Sequence, residues 1–196
     1  MDLFDTPATW QHWCFAILAL AMLMIDEVDV REQRIPNVMV LLLLCAGVFL
    51  NTTGPANSQQ GPFSPFPGAL GAAQSLLGVL VGLALFLPLY LWRAMGAGDV
   101  KLLAALGAFA GPLEIISLAL IILIAGGLLA VARMLWRRNS RLVLANVMLV
   151  LGGGAAGGFD LARQSADRMP YALAFSAGLL LYGCWRSIGG APFIVF

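Results

Sequence analysis

The sequence predicts an all-helical protein, a polytopic transmembrane bundle of about six spans. Three observations lead there. Of the 196 residues, 61% are hydrophobic and 11% charged, whereas an ordinary soluble domain carries about a quarter charged residues. The apolar residues come in long runs separated by short charged or Pro/Gly-rich junctions, and a span needs roughly 20 of them. The lysines and arginines collect on one side of the resulting topology. Such a composition leaves little room for a soluble enzyme or a disordered tail. With 11 Lys+Arg against 10 Asp+Glu, it offers no basic field for nucleic acid. The length fits a single domain over residues 1–196.

The first span is WQHWCFAILALAMLMI, read as a retained helix over Trp10 to Val28 with Trp10 and Trp13 as interfacial anchors. No basic residue precedes it and no small-x-small site follows, so a cleaved export signal is not expected. It runs into the charged stretch DEVDVREQR. Pro36 then opens a second span near Val38 to Leu50. A charge-free, Pro/Gly-rich loop follows from Asn51 to Gly68. The third span covers about Ala69 to Trp92, and its Gly78-x3-Gly82 makes a small-residue face for close helix contact. After RAMGAGDVK comes a short apolar segment, Leu102 to Ala110, stopped by Gly111-Pro112. The fifth span runs about Ile115 to Trp136 and the last about Pro170 to Trp185. Between them, Leu142 to Phe159 is uncharged but glycine-rich, a poor helix. It reads better as an interfacial, partly re-entrant piece than as a seventh span.

Arg31, Arg34, Arg93, Lys101, Arg133, Arg137, Arg138, Arg141, Arg163 and Arg168 then share one face, and Arg186 alone lies on the other. Basic residues mark the cytoplasmic side. Both charged junctions are therefore expected in the cytoplasm. Cys14, Cys45 and Cys184 are isolated in apolar runs and read as buried thiols. With no CxxC pair and with His12 the only histidine, neither a metal site nor a cofactor is expected.

The carboxylates carry the chemistry. Asp2, Asp5, Asp160 and Asp167 read as solvated charges, and Glu114 as an acid suited to the first turn of a helix. That leaves Asp99 and the cluster Asp26, Glu27, Asp29 and Glu32. Asp99 lies in Gly96-Ala97-Gly98-Asp99, and Val100 to Ala110 covers only about 17 Å as helix. Part of the preceding loop must then lie in the membrane zone, which non-helical backbone tolerates only within protein or beside water. An acid there is a functional candidate, set against a helix-capping acid paired with Lys101. Two carboxylates meeting at this face would share a proton, one activating water while the other stays protonated. Spacing alone leaves Asp26, Asp29, Glu27 and Glu32 open as the partner. Serine-lysine chemistry would need Lys101, serine-histidine chemistry would need His12 on the wrong face, and GAGDVK lacks phosphate-loop spacing.

Asp29-Val-Arg-Glu-Gln-Arg-Ile-Pro36-Asn37 resembles the first aspartate motif of the type IV prepilin peptidases, an acid six residues before I-P-N. Gly96-Ala-Gly98-Asp99-Val-Lys101-Leu-Leu resembles their second, the GxGD motif. Met169-Pro-Tyr-Ala172 with Gly178 resembles the start of their last span. The resemblance implies a GxGD-type membrane aspartic endopeptidase that removes the basic leader of prepilins or pseudopilins at the cytoplasmic face of the bacterial inner membrane. Asp29 and Asp99 would be the catalytic pair, Gly96 and Gly98 would shape the active-site loop, and Lys101, Pro36 and Asn37 would support it. Asp26 falls off the motif, a solvated neighbour. Bifunctional members carry a cytoplasmic region with paired CxxC motifs and N-methylate the new terminus. This chain has neither feature and is similar to the short form associated with Flp-type (tight adherence) pili, so methylation is not expected. The implied partners are the prepilin substrate and the lipid bilayer. Competing readings are another GxGD intramembrane protease and a small proton-coupled transporter using Asp99.

Overall fold

The computed structural model describes residues 6–55, 61–92, 95–136 and 171–193. The glycine-rich stretch Leu142 to Phe159, Arg93, and the arginines from 137 to 168 lie outside them. Among the described residues the only secondary structure is helical, apart from one isolated bridge between Gly61 and Gly68. The helices are α1 (Pro7–Glu32), α2 (Asn37–Thr53), α3 (Ala72–Leu91), α4 (Ala97–Trp136) and α5 (Ala172–Ser187). Among the described residues, two stretches, Ala72–Leu91 and Ala97–Ala132, are long and apolar enough to cross a membrane.

α1 starts where Thr6 caps it, accepting the Thr9 N–H at 3.3 Å, with Pro7 in the first turn, where its missing N–H costs nothing. The helix does not stop before the charged stretch. It continues to Glu32 and ends on Gln33, which takes a left-handed conformation (φ 53°) and donates its N–H to the Asp29 carbonyl. Its buried residues are Trp10, Cys14, Leu18, Met22, Ile25 and Asp29, one stripe at three- and four-residue spacing. Trp10 is therefore not an interfacial anchor. It is fully buried and donates its indole N–H to the Leu50 carbonyl at 3.0 Å. Of the cysteines, Cys14 is buried, whereas Cys45 and Cys184 are exposed.

α2 extends past the expected loop boundary, so Asn51 is helical and fully buried. The reason lies in α4. Pro112 has no N–H to offer the carbonyl four residues back, that of Ala108. Asn51 and Ser75 donate to that carbonyl instead, at 2.8 and 2.7 Å. Asn51 Oδ1 also accepts the Leu70 N–H at 3.1 Å, which pins the segment leading into α3 over this end of the bundle.

α4 breaks at Gly111 (φ 77°, ψ 177°), a conformation that favours glycine. Its two arms run in opposite directions. Asp99 in the first arm and Tyr171 before α5 line one cavity, while in the second arm Ile122 and Gly126 lie against Gly178 and Ala174. Counting the arms separately gives, among the described residues, six helical segments in alternating directions. α3 packs antiparallel on the first arm through Gly78 and Gly82. A Cβ on Gly78 would collide with the Gly107 carbonyl, and one on Gly82 would come within 2.8 Å of the Leu103 carbonyl. The small-residue face expected from the sequence is thus a backbone-to-backbone contact. Residues 29–37, 96–101 and 171–176 gather at one end of the bundle, and residues 10–11, 50–55, 61–71, 107–117 and 182–193 at the other.

At that second end Glu114 and Arg186 form a buried ion pair, Nη2 to Oε1 2.7 Å, and Arg186 also donates to the carbonyls of Phe63 and Gly190. Glu114 is thus more than an acid in a first turn, and the one basic residue expected on the far face is a buried structural partner.

Candidate active site

Asp29 and Asp99 come from different helices and are each only 5% exposed. They line the same cavity, about 620 Å³, together with Arg34, Asn37, Lys101 and Tyr171. Each carboxylate lies within electrostatic reach of the other.

Asp29 is held by the last turn of α1, at the end of the buried stripe. Its Oδ2 accepts the Ala172 N–H at 3.1 Å. That N–H belongs to the first turn of α5, whose orphan donors and positive dipole end favour an anion. Asp99 sits in the first turn of α4, and its Oδ2 accepts the Gly96 N–H at 3.1 Å. The GAGD segment is therefore not an open loop, because α4 begins at Ala97 and carries Gly98 and Asp99 as helix. The glycines serve approach rather than flexibility. A Cβ on Gly98 would meet Ile35 Cβ at 3.0 Å, so the α1–α2 connection lies tight against the start of α4. A Cβ on Gly96 would stand 3.3 Å from Asp99 Oδ2.

Lys101 does not pair with Asp99. Its ammonium donates to Asn37 Oδ1 at 3.0 Å, tying the start of α2 to the start of α4 beside the cavity. Pro36 acts through the backbone as the N-cap of α2, where its carbonyl accepts the Val40 N–H. Gln33, Ile35, Gly96, Ala97 and Gly98 complete the lining. Among the described residues, no three His, Cys, Asp or Glu side chains gather as a metal site would need.

The structure brings together both predicted aspartates, both glycines, Asn37 and Lys101. Sequence reasoning missed Tyr171, which precedes α5 and lines the cavity. Arg34 was counted only for orientation, yet it too borders the cavity. Asp26 is not a solvated neighbour. It is half-buried, accepts the Ser176 hydroxyl at 2.5 Å, and has its Oδ1 buried without a hydrogen-bond partner.

Chemically, two mutually repelling carboxylates in one cavity can divide a proton, one serving as base and the other as acid. Comparison with known proteins adds a family. Residues 15–131 match the model of the type IV leader peptidase family. The chain is 36% identical over 137 residues to a prepilin leader peptidase/N-methyltransferase of Dickeya chrysanthemi, covering 66% of this chain and 41% of the relative. It is 31% identical over 151 residues to a type 4 prepilin-like proteins leader peptide-processing enzyme of Escherichia coli O78:H11, covering 72% of this chain and 50% of the relative. A prepilin leader peptidase/N-methyltransferase of Stutzerimonas stutzeri is 33% identical over 110 residues, with 53% and 34% covered. The matches thus span half or less of these curated relatives. No solved structure gives a significant match.

Proposed function

We propose, from the premise that the chain belongs to the type IV leader peptidase family, that it is a membrane-embedded aspartic endopeptidase that removes the leader peptide of Flp-type prepilins. The observation that carries the reading is the shared cavity of Asp29 and Asp99. One carboxylate takes a proton from water as the oxygen attacks the scissile carbonyl. The other protonates the carbonyl oxygen, giving a gem-diol; as the C–N bond breaks, the first passes the proton it took from water to the leaving amine, and the second regains a proton from a gem-diol hydroxyl. Both groups must be in the right form together, so activity passes through a maximum with pH.

Several features support a bilayer setting. Leu20, Leu41, Leu80, Leu128 and Leu180 are each at least 60% exposed and sit on different helical segments, an apolar surface that water would not tolerate. The six alternating segments fit six crossings. Arg31, Arg34 and Lys101 lie at the cavity end, while Arg186 at the other end is consumed by Glu114. That asymmetry favours a cytoplasmic active site. The substrate then keeps its basic leader in the cytoplasm and its apolar stem in the membrane. We assign no N-methyltransferase activity, since the sequence carries three isolated cysteines and no CxxC pair.

The test is co-expression with a candidate Flp-type prepilin, followed by the mass of the pilin product. Loss of the leader mass is expected. A prepilin that keeps its full mass beside well-folded enzyme overturns the reading.

A further inference from the structure

We infer that a groove between α1 and α5 seats the apolar helix of the substrate that begins just after the scissile bond, and that Asp26 and Ser176 receive the N-terminal end of that helix. The inference rests on the peptidase reading and adds where the substrate lies.

The groove has a volume of about 550 Å³, and its walls are apolar, chiefly Phe15, Leu18, Met22 and Leu23 from α1 and Leu179 and Leu180 from α5. Phe15 and Asp26 are eleven residues apart, so it runs about 17 Å along the helix. A carboxylate stands at one end, where Asp26 accepts the Ser176 hydroxyl, while Ser187 at the other end donates its hydroxyl to the Cys184 carbonyl. The Asp26 carboxylate is not fully satisfied there, because its Oδ1 has no donor, and an acid in an apolar wall is costly without one.

The carboxylate end adjoins the active cavity through both walls. Asp26 precedes Asp29 by about 4.5 Å along α1. Ser176 stands one turn beyond Ala172, whose N–H holds Asp29. An apolar helix entering with its first turn at Asp26 brings orphan N–H groups and a positive dipole end to an anion. The peptide bond preceding that turn then falls at Asp29 and Asp99. A helix entering in the opposite sense would set carbonyl oxygens against the carboxylate.

Gly183 is the independent sign that the groove is kept open. It lines the groove, has no left-handed φ, and a Cβ there would meet nothing within 4 Å. Neither packing nor backbone conformation asks for glycine at a helical position that glycine weakens. Gly178, five residues earlier, differs, since a Cβ there would meet Ile122 Cγ1 at 2.6 Å.

The test uses full-length enzyme in liposomes with two substrates, an intact prepilin and a soluble peptide holding the leader and scissile bond but no stem. Gly183→Phe fills the groove. It is expected to raise KM for the prepilin about tenfold or more, the equivalent of losing at least 1.4 kcal/mol of binding, while peptide cleavage stays at the wild-type rate. Asp26→Asn should raise the same KM by a larger factor than it changes peptide cleavage. In a Cys45→Ser background, Cys184, which lines the groove, should form a disulfide under copper phenanthroline with cysteines on one face of the stem and not with cysteines in the leader. If wild type cleaves both substrates and Gly183→Phe keeps its prepilin KM, the groove is a lipid-filled surface and the inference falls. Wild type that cleaves neither substrate overturns the peptidase reading, and this inference with it.

Discussion

Replacing Asn51 by alanine tests the logic of the α4 turn. The side chain is fully buried and makes three hydrogen bonds, to the Ala108 and Gly47 carbonyls and from the Leu70 N–H. Removing it orphans the Leu70 N–H, which costs about 1–3 kcal/mol where no water replaces the partner. The Ala108 carbonyl keeps Ser75, so the loss there is nearer the ~0.6 kcal/mol typical of interhelical hydrogen bonds in membranes. We expect Asn51→Ala to destabilise the protein by about 2–3 kcal/mol. Ser75→Ala should cost less than about 1 kcal/mol, because Asn51 still serves the carbonyl. The double variant should cost more than the sum, since the carbonyl that Pro112 leaves bare then has no donor. Unfolding by SDS from mixed micelles measures all three. Leader cleavage per folded molecule should stay unchanged, because Asn51 lies at the end of the bundle away from the cavity. An Asn51→Ala protein within about 0.5 kcal/mol of wild type, below the cost of one orphaned donor, would sink this explanation of the turn.

Glycine substitutions should divide sharply by site. Gly78→Ala drives a Cβ into the Gly107 carbonyl and should cost about 3 kcal/mol, whereas Gly183→Ala meets open space and should gain up to about 1 kcal/mol in helix propensity; thermal unfolding reads both. Arg186→Leu strands the buried Glu114 carboxylate and should cost about 3–5 kcal/mol, with much of the loss recovered in the Glu114→Leu/Arg186→Leu double variant. A double variant no more stable than the single, measured by the same unfolding, would contradict that reading.

The sequence makes the helices legible because apolar runs are long and their breaks carry proline, glycine or charge. It does not reveal which face of α1 is buried. Leu20, Leu23 and Met24 are exposed while Leu18, Met22 and Ile25 are buried, and both faces are equally apolar. In a soluble helix the polar face would have marked the other as core. Here Asp26 and Asp29 stayed equivalent until the motif or the buried stripe chose between them. Gly78 and Gly82 were legible as a contact face, but not Gly107, which Gly78 meets and which looks like any glycine in an apolar run. Pro112 foretells a carbonyl in need of a donor. That Asn51 and Ser75 supply it depends on tertiary packing. Arg186 carried an unused signal. It was the one cation assigned to the far face, and Glu114 the acid at the same end.

Leader cleavage by Asp29→Asn, Asp99→Asn and the double variant, at equal amounts of folded protein, is the decisive measurement. If the two carboxylates work as one unit on a shared water, each single variant falls to background and the double falls no further. Either single variant processing prepilin at the wild-type rate would show that the cavity joining residues 29 and 99 is not where the peptide bond is cut.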